Sequence, residues 1–263
     1  MPEGHKIHRL AQDHKAEFVG PRLQVSSPQG RFAGGAAVLD RRKLLDVWAY
    51  GKHLFYEFTA RNTLHVHLGR YGRFRTWPAP PPPPAGQIRL RAVGGKTGFD
   101  LRGPAACELV SRDAVHKILS RLGPDPLRPD ADPQRAWQRI RRSRTPIGTL
   151  LLDQSVLAGV GNIFRADALF AMSLHPERPG NSLREDEFEQ LWKWIVRTMR
   201  VSAKYNRIIT ADPQRVGVSR GKMNDEQRLL VYKRNECLVC GHQVDLWILG
   251  GRKMYACPTC QPW

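Results

Sequence analysis

The 263-residue sequence predicts an α+β protein of several domains: an N-terminal β-sandwich with a leading helix, a helical domain, and a C-terminal β-hairpin stapled by cysteines. Three observations lead to this prediction. Short runs of β-branched and aromatic residues fill positions 20–111, apolar residues recur at helical spacing after position 124, and two close cysteine pairs lie near the C-terminal end. The chain is long enough for such domains to bury real cores without disulfides.

The N-terminal domain, which we place at residues 1–122, begins with a predicted helix. Apolar side chains recur at helical spacing on one face of 7–18. Strands bounded by turn-forming residues are then predicted at 44–50, 53–58 and 63–68. Because proline cannot donate to a sheet, the proline run 80–84 is expected to form an exposed polyproline loop between strands.

A proline-rich linker at 123–130 separates this domain from a helical domain that we place at 131–228. Asp132 is a favoured N-cap residue and Pro133 is favoured at the first helical position, so a helix is predicted to begin there. Apolar residues at helical spacing predict another helix over 183–199. The second half is therefore expected to be mainly α-helical before the cysteine-bearing tail.

The segment 229–263 carries two Cys-x2-Cys pairs separated by sixteen residues. The four thiols belong to Cys237, Cys240, Cys257 and Cys260. That spacing is typical of a site in which two short knuckles clamp one tetrahedral Zn²⁺. Strands predicted at 244–248 and 253–256 would complete a zinc-finger β-hairpin. Since the protein fills all four coordination positions, the single Zn²⁺ is predicted to be structural.

Composition and charge narrow the classes of function. The chain contains 42 Lys and Arg against 24 Asp and Glu, a formal net charge of +18 at pH 7. Such an excess is typical of proteins that bind a polyanion, nucleic acid first and an anionic membrane surface second. No apolar run approaches the roughly 18 residues of a membrane-spanning helix, and no leader segment opens the chain. We therefore expect a cytoplasmic, nucleoid-associated protein with no membrane partner.

Two further groups of reactive residues are interpreted as structural. Cys107, the fifth cysteine, is expected to be a small buried residue. Six histidines suggest a second metal site, and two of them, His65 and His67, share one strand face, but the sequence places no carboxylate or cysteine at a matching spacing. The six are His5, His8, His14, His53, His65 and His67. We therefore expect structural or phosphate-facing histidines.

The amino terminus offers a candidate nucleophile. Removal of Met1, which is usual when the next residue is small, would leave Pro2 with a terminal secondary amine. Because α-amino groups have a pKa of about 8, a useful fraction is neutral near pH 7 and can attack an aldehyde-level carbon to form an iminium. The neighbouring Glu3 could move protons to and from sugar oxygens. Taken alone, an inert terminus is the simpler interpretation.

Several motifs occur together and in a fixed order along the chain. They are Pro2-Glu3-Gly4, Gly51-Lys52-His53-Leu54, the HLGRYG segment at 67–72, the segment 152–163 and the four-cysteine hairpin. In this combination the chain resembles the formamidopyrimidine-DNA glycosylase and endonuclease VIII family over essentially its whole length, and looks closest to the endonuclease VIII branch. The resemblance implies a helix–two-turns–helix element in the helical domain. It also implies a bifunctional DNA glycosylase and AP lyase of base excision repair that removes oxidised bases, pyrimidines above all.

The resemblance implies catalytic roles for three residues. Pro2 would attack C1′ of the damaged nucleoside, and Glu3 would act on the sugar ring oxygen. The resulting Schiff base permits β-elimination and usually δ-elimination, which cut the strand. Lys52 would hold a phosphate that flanks the lesion, although a solvated lysine at a strand end is the alternative without the family.

Four more residues are expected, by the same resemblance, to bind damaged DNA. Asn162 and Arg252 would clamp phosphates around a nucleotide flipped out of the duplex. Arg70 and Tyr71 would fill the space that the flipped base leaves, although Tyr71 could instead belong to the core. The resemblance further implies a monomer that needs no small-molecule cofactor.

Two other functions compete with this one. The first is a non-catalytic zinc-finger DNA-binding protein that senses damage, and it is favoured by Lys6, which stands where formamidopyrimidine-DNA glycosylases have an acidic residue. The second is a general nucleic-acid or ribosome-associated zinc-ribbon protein, which leaves the Pro2-Glu3 terminus unexplained. The presence of Pro2, Glu3 and Lys52 together favours the enzyme.

Overall fold

The computed structural model describes residues 2–263, and Met1, whose removal the predicted chemistry requires, lies outside the described residues. The chain divides into two compact units. The first comprises the residues up to Glu3 and Ile7–Ser120, and the second comprises Gly4–Lys6 and Arg121–Trp263. None of the helices within 2–263 combines the length and the apolar character that crossing a membrane requires.

The first unit contains two four-stranded antiparallel sheets, with strand orders β1-β6-β7-β5 and β2-β3-β4-β8. The strands are β1 (Gln24–Ser26), β2 (Leu44–Tyr50), β3 (His53–Phe58), β4 (Asn62–His67), β5 (Arg73–Pro78), β6 (Ile88–Val93), β7 (Thr97–Arg102) and β8 (Ala106–Val110). The helices are α1 (Gly4–Phe18), α2 (Ala33–Leu39) and α3 (Arg112–Ser120). The three strands predicted from residue pattern therefore correspond to β2, β3 and β4.

One apolar core joins both sheets to α1. Its members alternate along the strands, as the two-residue period of a half-buried strand requires; examples are Leu54 and Tyr56 of β3 and Leu64 and Val66 of β4. The predicted β-sandwich with a leading helix is thus confirmed. The proline run 80–84 lies between β5 and β6 and is mostly exposed, as expected.

The short helix α2 was not predicted from the sequence. Its segment AGGAAVL carries two glycines, and only Ala36 and Leu39 are buried. Glycine and alanine give almost no periodic apolar signal, so the helix is specified by its packing against β1 rather than by its own pattern.

The second unit combines helices with one antiparallel hairpin. The helices are α4 (Pro133–Ile140), α5 (Ile147–Leu150), α6 (Asn162–Ala171), α7 (Glu185–Lys204) and α8 (Pro213–Val216), with a 3₁₀ helix at Gly180–Ser182. The hairpin consists of β9 (Asp245–Leu249) and β10 (Arg252–Ala256). Leu249 and Met254 of the hairpin belong to the same apolar core as Phe164 of α6 and Leu191 of α7. The hairpin is therefore packed into the helical unit.

Capping residues fix the ends of two of these helices. The Asp132 side chain accepts a hydrogen bond from the amide of Gln134 at 2.9 Å, with Pro133 in the first turn of α4. This confirms the predicted start of that helix. The helix predicted over 183–199 is α7, and the Glu187 carboxylate accepts from the Arg184 amide at 2.8 Å to cap it.

A buried carboxylate links α6 to the segment that leads into the hairpin. Asp167 is fully buried and accepts hydrogen bonds from the amides of Val231 and Tyr232 at 3.0 and 2.9 Å. It also accepts from the Leu230 amide at 3.0 Å and from the Thr210 hydroxyl at 2.5 Å. Burial raises the pKa of Asp167, and these donors oppose that rise.

Asp167→Asn should lower the free energy of unfolding of the second unit by about 2–4 kcal/mol. The amide nitrogen of Asn would face backbone donors, and each buried donor left unpaired costs about 1–3 kcal/mol. Urea denaturation measures the change. Asp225→Asn is the matched control, because that side chain is 88% exposed and forms a surface ion pair with Arg228, and it should change stability by less than about 0.5 kcal/mol. Equal losses in the two variants would contradict this role of Asp167.

Candidate functional site

The first unit holds the predicted catalytic residues just before α1 and in the turn between β2 and β3. Pro2 is half-buried, and Glu3 is 2% exposed at the N-cap position of α1. Lys52 is half-buried in the turn between β2 and β3. Gly51 before it has a φ of +56°, a conformation that glycine adopts without steric strain, so the chain reverses within two residues and leaves Lys52 at the strand end.

The predicted base-replacing pair lies on a second tight turn, after β4. Tyr71 is 76% exposed, which rules out the core as its location. The Arg70 guanidinium carbon lies 5.5 Å from the centre of the Tyr71 ring, within cation–π range. A Cβ at Gly72 would lie 2.2 Å from the Leu68 carbonyl oxygen, so this tight turn requires glycine there. The turn therefore presents a large planar group to solvent.

Strand pairing assembles a histidine cluster next to Lys52. His53 pairs with His67 across β3 and β4, and His65 pairs with Glu108 across β4 and β8. His53 Nδ1 lies 2.9 Å from His65 Nε2, and His65 Nδ1 lies 3.0 Å from Glu108 Oε1. No carboxylate lies at a matching sequence spacing, but strand pairing brings Glu108 to His65 from far along the chain; within residues 2–263 the group placed to hold a metal ion is the four cysteines rather than these histidines.

Burial and nearby charge keep two members of this cluster neutral. Burial, with contributions from His67, His65 and Lys52, lowers the pKa of His53 to about 3. Burial, His65 and Lys52 also lower the pKa of His67. On the opposite face of β8, Cys107 is only partly buried, so the expectation of a buried residue is met in part. Burial raises the pKa of its thiol to about 12, which leaves the group inert.

In the second unit, Asn162 begins α6 and contacts the hairpin. Its Nδ2 donates to the Lys253 carbonyl oxygen at 2.8 Å. Arg252, next to Lys253, is exposed in β10 just after the Gly250-Gly251 turn. The two residues predicted to clamp phosphates, Asn162 and Arg252, are thus brought to one edge of this unit.

The loop before α6 is held from two sides. Gln154 accepts from the Gly159 amide at 3.0 Å and donates to the Val160 carbonyl at 3.0 Å. The Gly4 amide, which clusters with this unit, donates to the Gly159 carbonyl at 2.8 Å. A Cβ at Gly4 would lie 2.8 Å from the Gly159 Cα, so the approach of the two backbones requires glycine. The start of α6 is therefore a fixed structure.

Arg165 is a positioning residue that the sequence analysis did not identify. It is fully buried, and its guanidinium donates to Asn162 Oδ1 at 2.6 Å. It also donates to the carbonyl oxygens of Leu249 and Lys253 in the hairpin, at 3.0 and 3.2 Å, and to that of Gly148 at 3.2 Å. The sequence does carry a signal for this role, because Arg165 stands inside the apolar segment NIFRADALFA at 162–171. An arginine is seldom buried without strong partners.

The four predicted metal ligands come together at the base of the hairpin. All four cysteine Sγ atoms lie within 4.8 Å of one another. The Sγ atoms of Cys237 and Cys260 are 3.7 Å apart, and those of Cys240 and Cys257 are 3.4 Å apart. Tetrahedral ligation with Zn–S bonds of about 2.3 Å needs sulfurs about 3.8 Å apart, so the cluster fits a metal ion of this kind.

Comparison with known proteins identifies the family. Residues 1–104 match the family model described as the formamidopyrimidine-DNA glycosylase N-terminal domain, and residues 122–213 match its H2TH domain. A Mycobacterium tuberculosis protein named Endonuclease 8 1 is 46% identical over 267 residues, which cover 99% of this chain and 100% of the relative. The chain belongs to the formamidopyrimidine-DNA glycosylase family. The prediction of an enzyme of the DNA glycosylase and AP lyase class is thereby confirmed at the level of the family.

Other relatives and solved structures agree. A formamidopyrimidine-DNA glycosylase from Thermomicrobium roseum is 33% identical, over 84% of this chain and 83% of the relative. Lactococcus lactis Fpg, in complex with DNA containing N7-benzyl-Fapy-dG, matches with a TM-score of 0.82 at 23% identity, covering 100% of both chains. Its complex with DNA containing an abasic site matches with a TM-score of 0.82 at 22% identity, covering 99% of this chain and 100% of that one. The predicted fold class of this family member is confirmed.

Arg165→Met should loosen the hairpin of this glycosylase-family chain. The substitution keeps an apolar stem but removes the guanidinium that donates to the carbonyls of Leu249 and Gly148 and to Asn162 Oδ1, so we expect a loss of about 2–4 kcal/mol in unfolding free energy. Hydrogen exchange of β9 and β10 should accelerate. Arg252→Met, at an exposed position of the same hairpin, is the control and should leave exchange unchanged. Normal exchange in Arg165→Met would show that this guanidinium does not hold the hairpin.

Acid should destabilise the first unit through His53. The folded side chain has a pKa of about 3 and stays neutral above it, whereas the unfolded one titrates near the ordinary histidine pKa of 6.5. Between these values the unfolded chain binds the extra proton, so stability falls as the pH falls. His53→Gln should flatten the dependence of unfolding free energy on pH in that window. The exposed His116→Gln should leave it intact; an unchanged profile in His53→Gln would contradict the burial of a neutral imidazole.

Proposed function

We propose that the chain is a bifunctional DNA glycosylase and AP lyase of base excision repair that removes oxidised bases, chiefly pyrimidines. The observation that carries the proposal is the Pro2-Glu3 pair, with Glu3 buried at the start of α1, in a chain that belongs to this family. The 46% identity with a protein named Endonuclease 8 1 agrees with the resemblance to the endonuclease VIII branch, from which oxidised pyrimidines are proposed as the substrates. The net charge of +18 supports damaged DNA as the partner.

The proposed chemistry begins at the chain terminus once Met1 has been removed. The Pro2 nitrogen bonds to C1′ of the flipped nucleotide, the bond from C1′ to the base breaks, and an iminium forms when the sugar ring opens. Glu3 serves the ring oxygen as the proton donor, a role that suits a carboxyl group shielded from bulk water. The iminium makes the C2′ proton acidic, so its loss expels the 3′ phosphate, and a second elimination can expel the 5′ phosphate.

Phosphate binding is proposed to come from both units. Lys52 places a positive charge at a strand end, where it stabilises a departing phosphate. Asn162 stands at the N-terminus of the ten-residue helix α6, where the backbone amides and the helix dipole favour an anion. Arg252 is exposed on a hairpin that Arg165 fixes relative to Asn162. Contacts of this kind release counterions, so binding should weaken as salt rises.

Arg70 and Tyr71 are proposed to occupy the space that the flipped base leaves. An aromatic ring stacked on a neighbouring base contributes about 1–3 kcal/mol, which offsets part of the lost base stacking. The 76% exposure of Tyr71 supports this role, because so large an exposed ring is available for stacking.

One Zn²⁺ held by the four cysteines is proposed to be structural. When bound, the ion contributes its binding free energy to the folding of the hairpin and leaves no open position for substrate. We propose no small-molecule cofactor and a monomer that works on the chromosome in the cytoplasm.

A non-catalytic DNA-binding protein is the second candidate, and one observation favours it. Lys6, where formamidopyrimidine-DNA glycosylases have an acidic residue, donates from Nζ to Asn206 Oδ1 at 2.8 Å. This contact occupies the lysine within the second unit, so no carboxylate takes part in holding the base at that position.

Cys237→Ser should abolish metal binding and weaken binding to duplex DNA at least tenfold, because an unfolded hairpin no longer presents Arg252. Zinc content by atomic emission and DNA affinity by fluorescence anisotropy test this. Cys107→Ser is the matched control, since that thiol lies in β8 outside the cluster, and it should keep one zinc per chain and normal affinity. Full zinc and full affinity in Cys237→Ser would contradict the proposed site.

Borohydride trapping tests the function itself. The protein should form a covalent adduct with oligonucleotides that carry an abasic site or an oxidised pyrimidine. It should cut the damaged strand of each of these two substrates. A version with one glycine added before Pro2 converts the amine to an amide while keeping every side chain, and it should form no adduct. Mass spectrometry establishes that Met1 is removed.

Each other outcome decides between the candidates. An adduct on the abasic substrate alone would contradict the proposed removal of oxidised pyrimidines. No adduct from protein that lacks Met1, with tight DNA binding retained, would establish the non-catalytic binding protein.

A further inference from the structure

The face of the sheet β2-β3-β4-β8 that points away from the apolar core of the first unit carries stacked rings rather than the polar residues usual on a second face. Trp48 stacks on Phe55 with centroids 4.2 Å apart, and Phe55 stacks on His65 at 5.0 Å. His53 lies 5.1 Å from His65, with the two ring planes only 17° apart. Phe55 is fully buried and His65 is 4% exposed. The imidazoles are therefore held in fixed, nearly parallel planes by their neighbours.

These fixed rings form one chain of hydrogen bonds. Glu108 Oε1 lies 3.0 Å from His65 Nδ1, and His65 Nε2 lies 2.9 Å from His53 Nδ1. The Glu108 side chain is 56% exposed at one end, and half-buried His53 follows Lys52 at the other. Within residues 2–263, no hydrogen bond is recorded at His53 Nε2. These hydrogen bonds thus link the solvated Glu108 carboxylate to the imidazole of His53, the residue that follows Lys52.

With His53 neutral and Glu108 ionised, two proton arrangements satisfy both hydrogen bonds. In the first, His65 donates from Nδ1 to Glu108, His53 donates from Nδ1 to His65 Nε2, and His53 Nε2 is an acceptor. In the second, one proton has been added at His53 Nε2, and the proton on His53 Nδ1 has moved to His65 Nε2. His53 Nε2 is then a donor, and the added positive charge lies on His65 beside the Glu108 carboxylate.

The surroundings explain why the charge belongs on His65. Burial, His67, His65 and Lys52 all disfavour a charge on His53 itself. The other titratable groups around the chain are Tyr50 on β2, Glu57 on β3 and His67 on β4. Helix α3, which packs on β8, carries Asp113, His116 and Lys117. In the second arrangement His53 gains a donor while the charge stays one ring further from Lys52 and next to a carboxylate.

We infer that His53 is a further ligand of the DNA phosphate that Lys52 is proposed to hold, and that His65 and Glu108 are positioning residues that make its Nε2 a donor. The inference rests on the proposed function, because it concerns that phosphate. When the phosphate binds, the hydrogen-bonded group of His53, His65 and Glu108 takes up one proton from solvent. DNA affinity therefore falls as the pH rises.

Calorimetry of DNA binding in buffers of different ionisation enthalpy tests this, with the zinc-loaded full chain and a duplex carrying a non-cleavable abasic analogue. The intact protein should take up close to one proton per complex at pH 7.5, with affinity falling up to tenfold per pH unit above that. Glu108→Gln should lose the proton uptake and bind about tenfold more weakly at pH 7. Glu57→Gln is the matched control. The Glu57 carboxylate lies in the same sheet and accepts a hydrogen bond from the Trp48 indole at 2.7 Å, so its loss should leave proton uptake unchanged.

Further readouts separate the inference from a merely structural effect. Nitrogen-15 NMR of the imidazoles should show a proton on His53 Nε2 in the DNA complex of the intact protein and none in that of Glu108→Gln. His67→Gln should keep the proton uptake. Uptake that disappears in His67→Gln but persists in Glu108→Gln, or DNA binding with no uptake at all, would overturn the inference. Absence of DNA binding would instead contradict the proposed function.

Discussion

A buried guanidinium determines the geometry of the functional edge of the second unit. Arg165 lies inside the apolar core, where a cation is stable only while polar groups replace its water, so Asn162 and the carbonyls of β9 and β10 must stay in place. The same bonds hold the start of α6 against the hairpin that carries Arg252. A rigid spacing between two proposed phosphate ligands, Asn162 and Arg252, follows, and it does not depend on either residue being buried.

In the first unit, as in the second, buried residues are distinct from the exposed residues that are proposed to contact DNA. Its buried groups include Glu3 and His65, whereas solvent reaches Lys52, His53 and Tyr71. Groups that the proposed chemistry requires to hold a defined proton are shielded from water, while Lys52 and Tyr71, which are proposed to meet DNA, stand at turns that contain glycine. A strongly cationic protein can therefore keep a few side chains in specific protonation states, because burial and pairing isolate these side chains from the electrostatic field of the other charges.

Local pattern was sufficient to predict β2, β3, β4, the cysteine hairpin and the helices α1, α4 and α7, but not the polar contacts between elements. The strands 44–50 and 53–58 and the cysteine hairpin follow from two-residue alternation, turn residues and spacing, all of which lie within a few residues. The partnership of His65 with Glu108 depends on the pairing of β4 with β8, which no local signal encodes. Arg165 was missed for the same reason, because its partners in the hairpin lie more than eighty residues away.

The central claim is that the reacting amine belongs to residue 2. Its most direct test is peptide mapping by mass spectrometry of the protein after reductive cross-linking to abasic DNA and digestion of the nucleic acid. The account predicts the mass of the reduced sugar remnant on the N-terminal peptide, with fragment ions that place it on the Pro2 nitrogen. A remnant on the Nζ of Lys52, or on any other lysine, would contradict it.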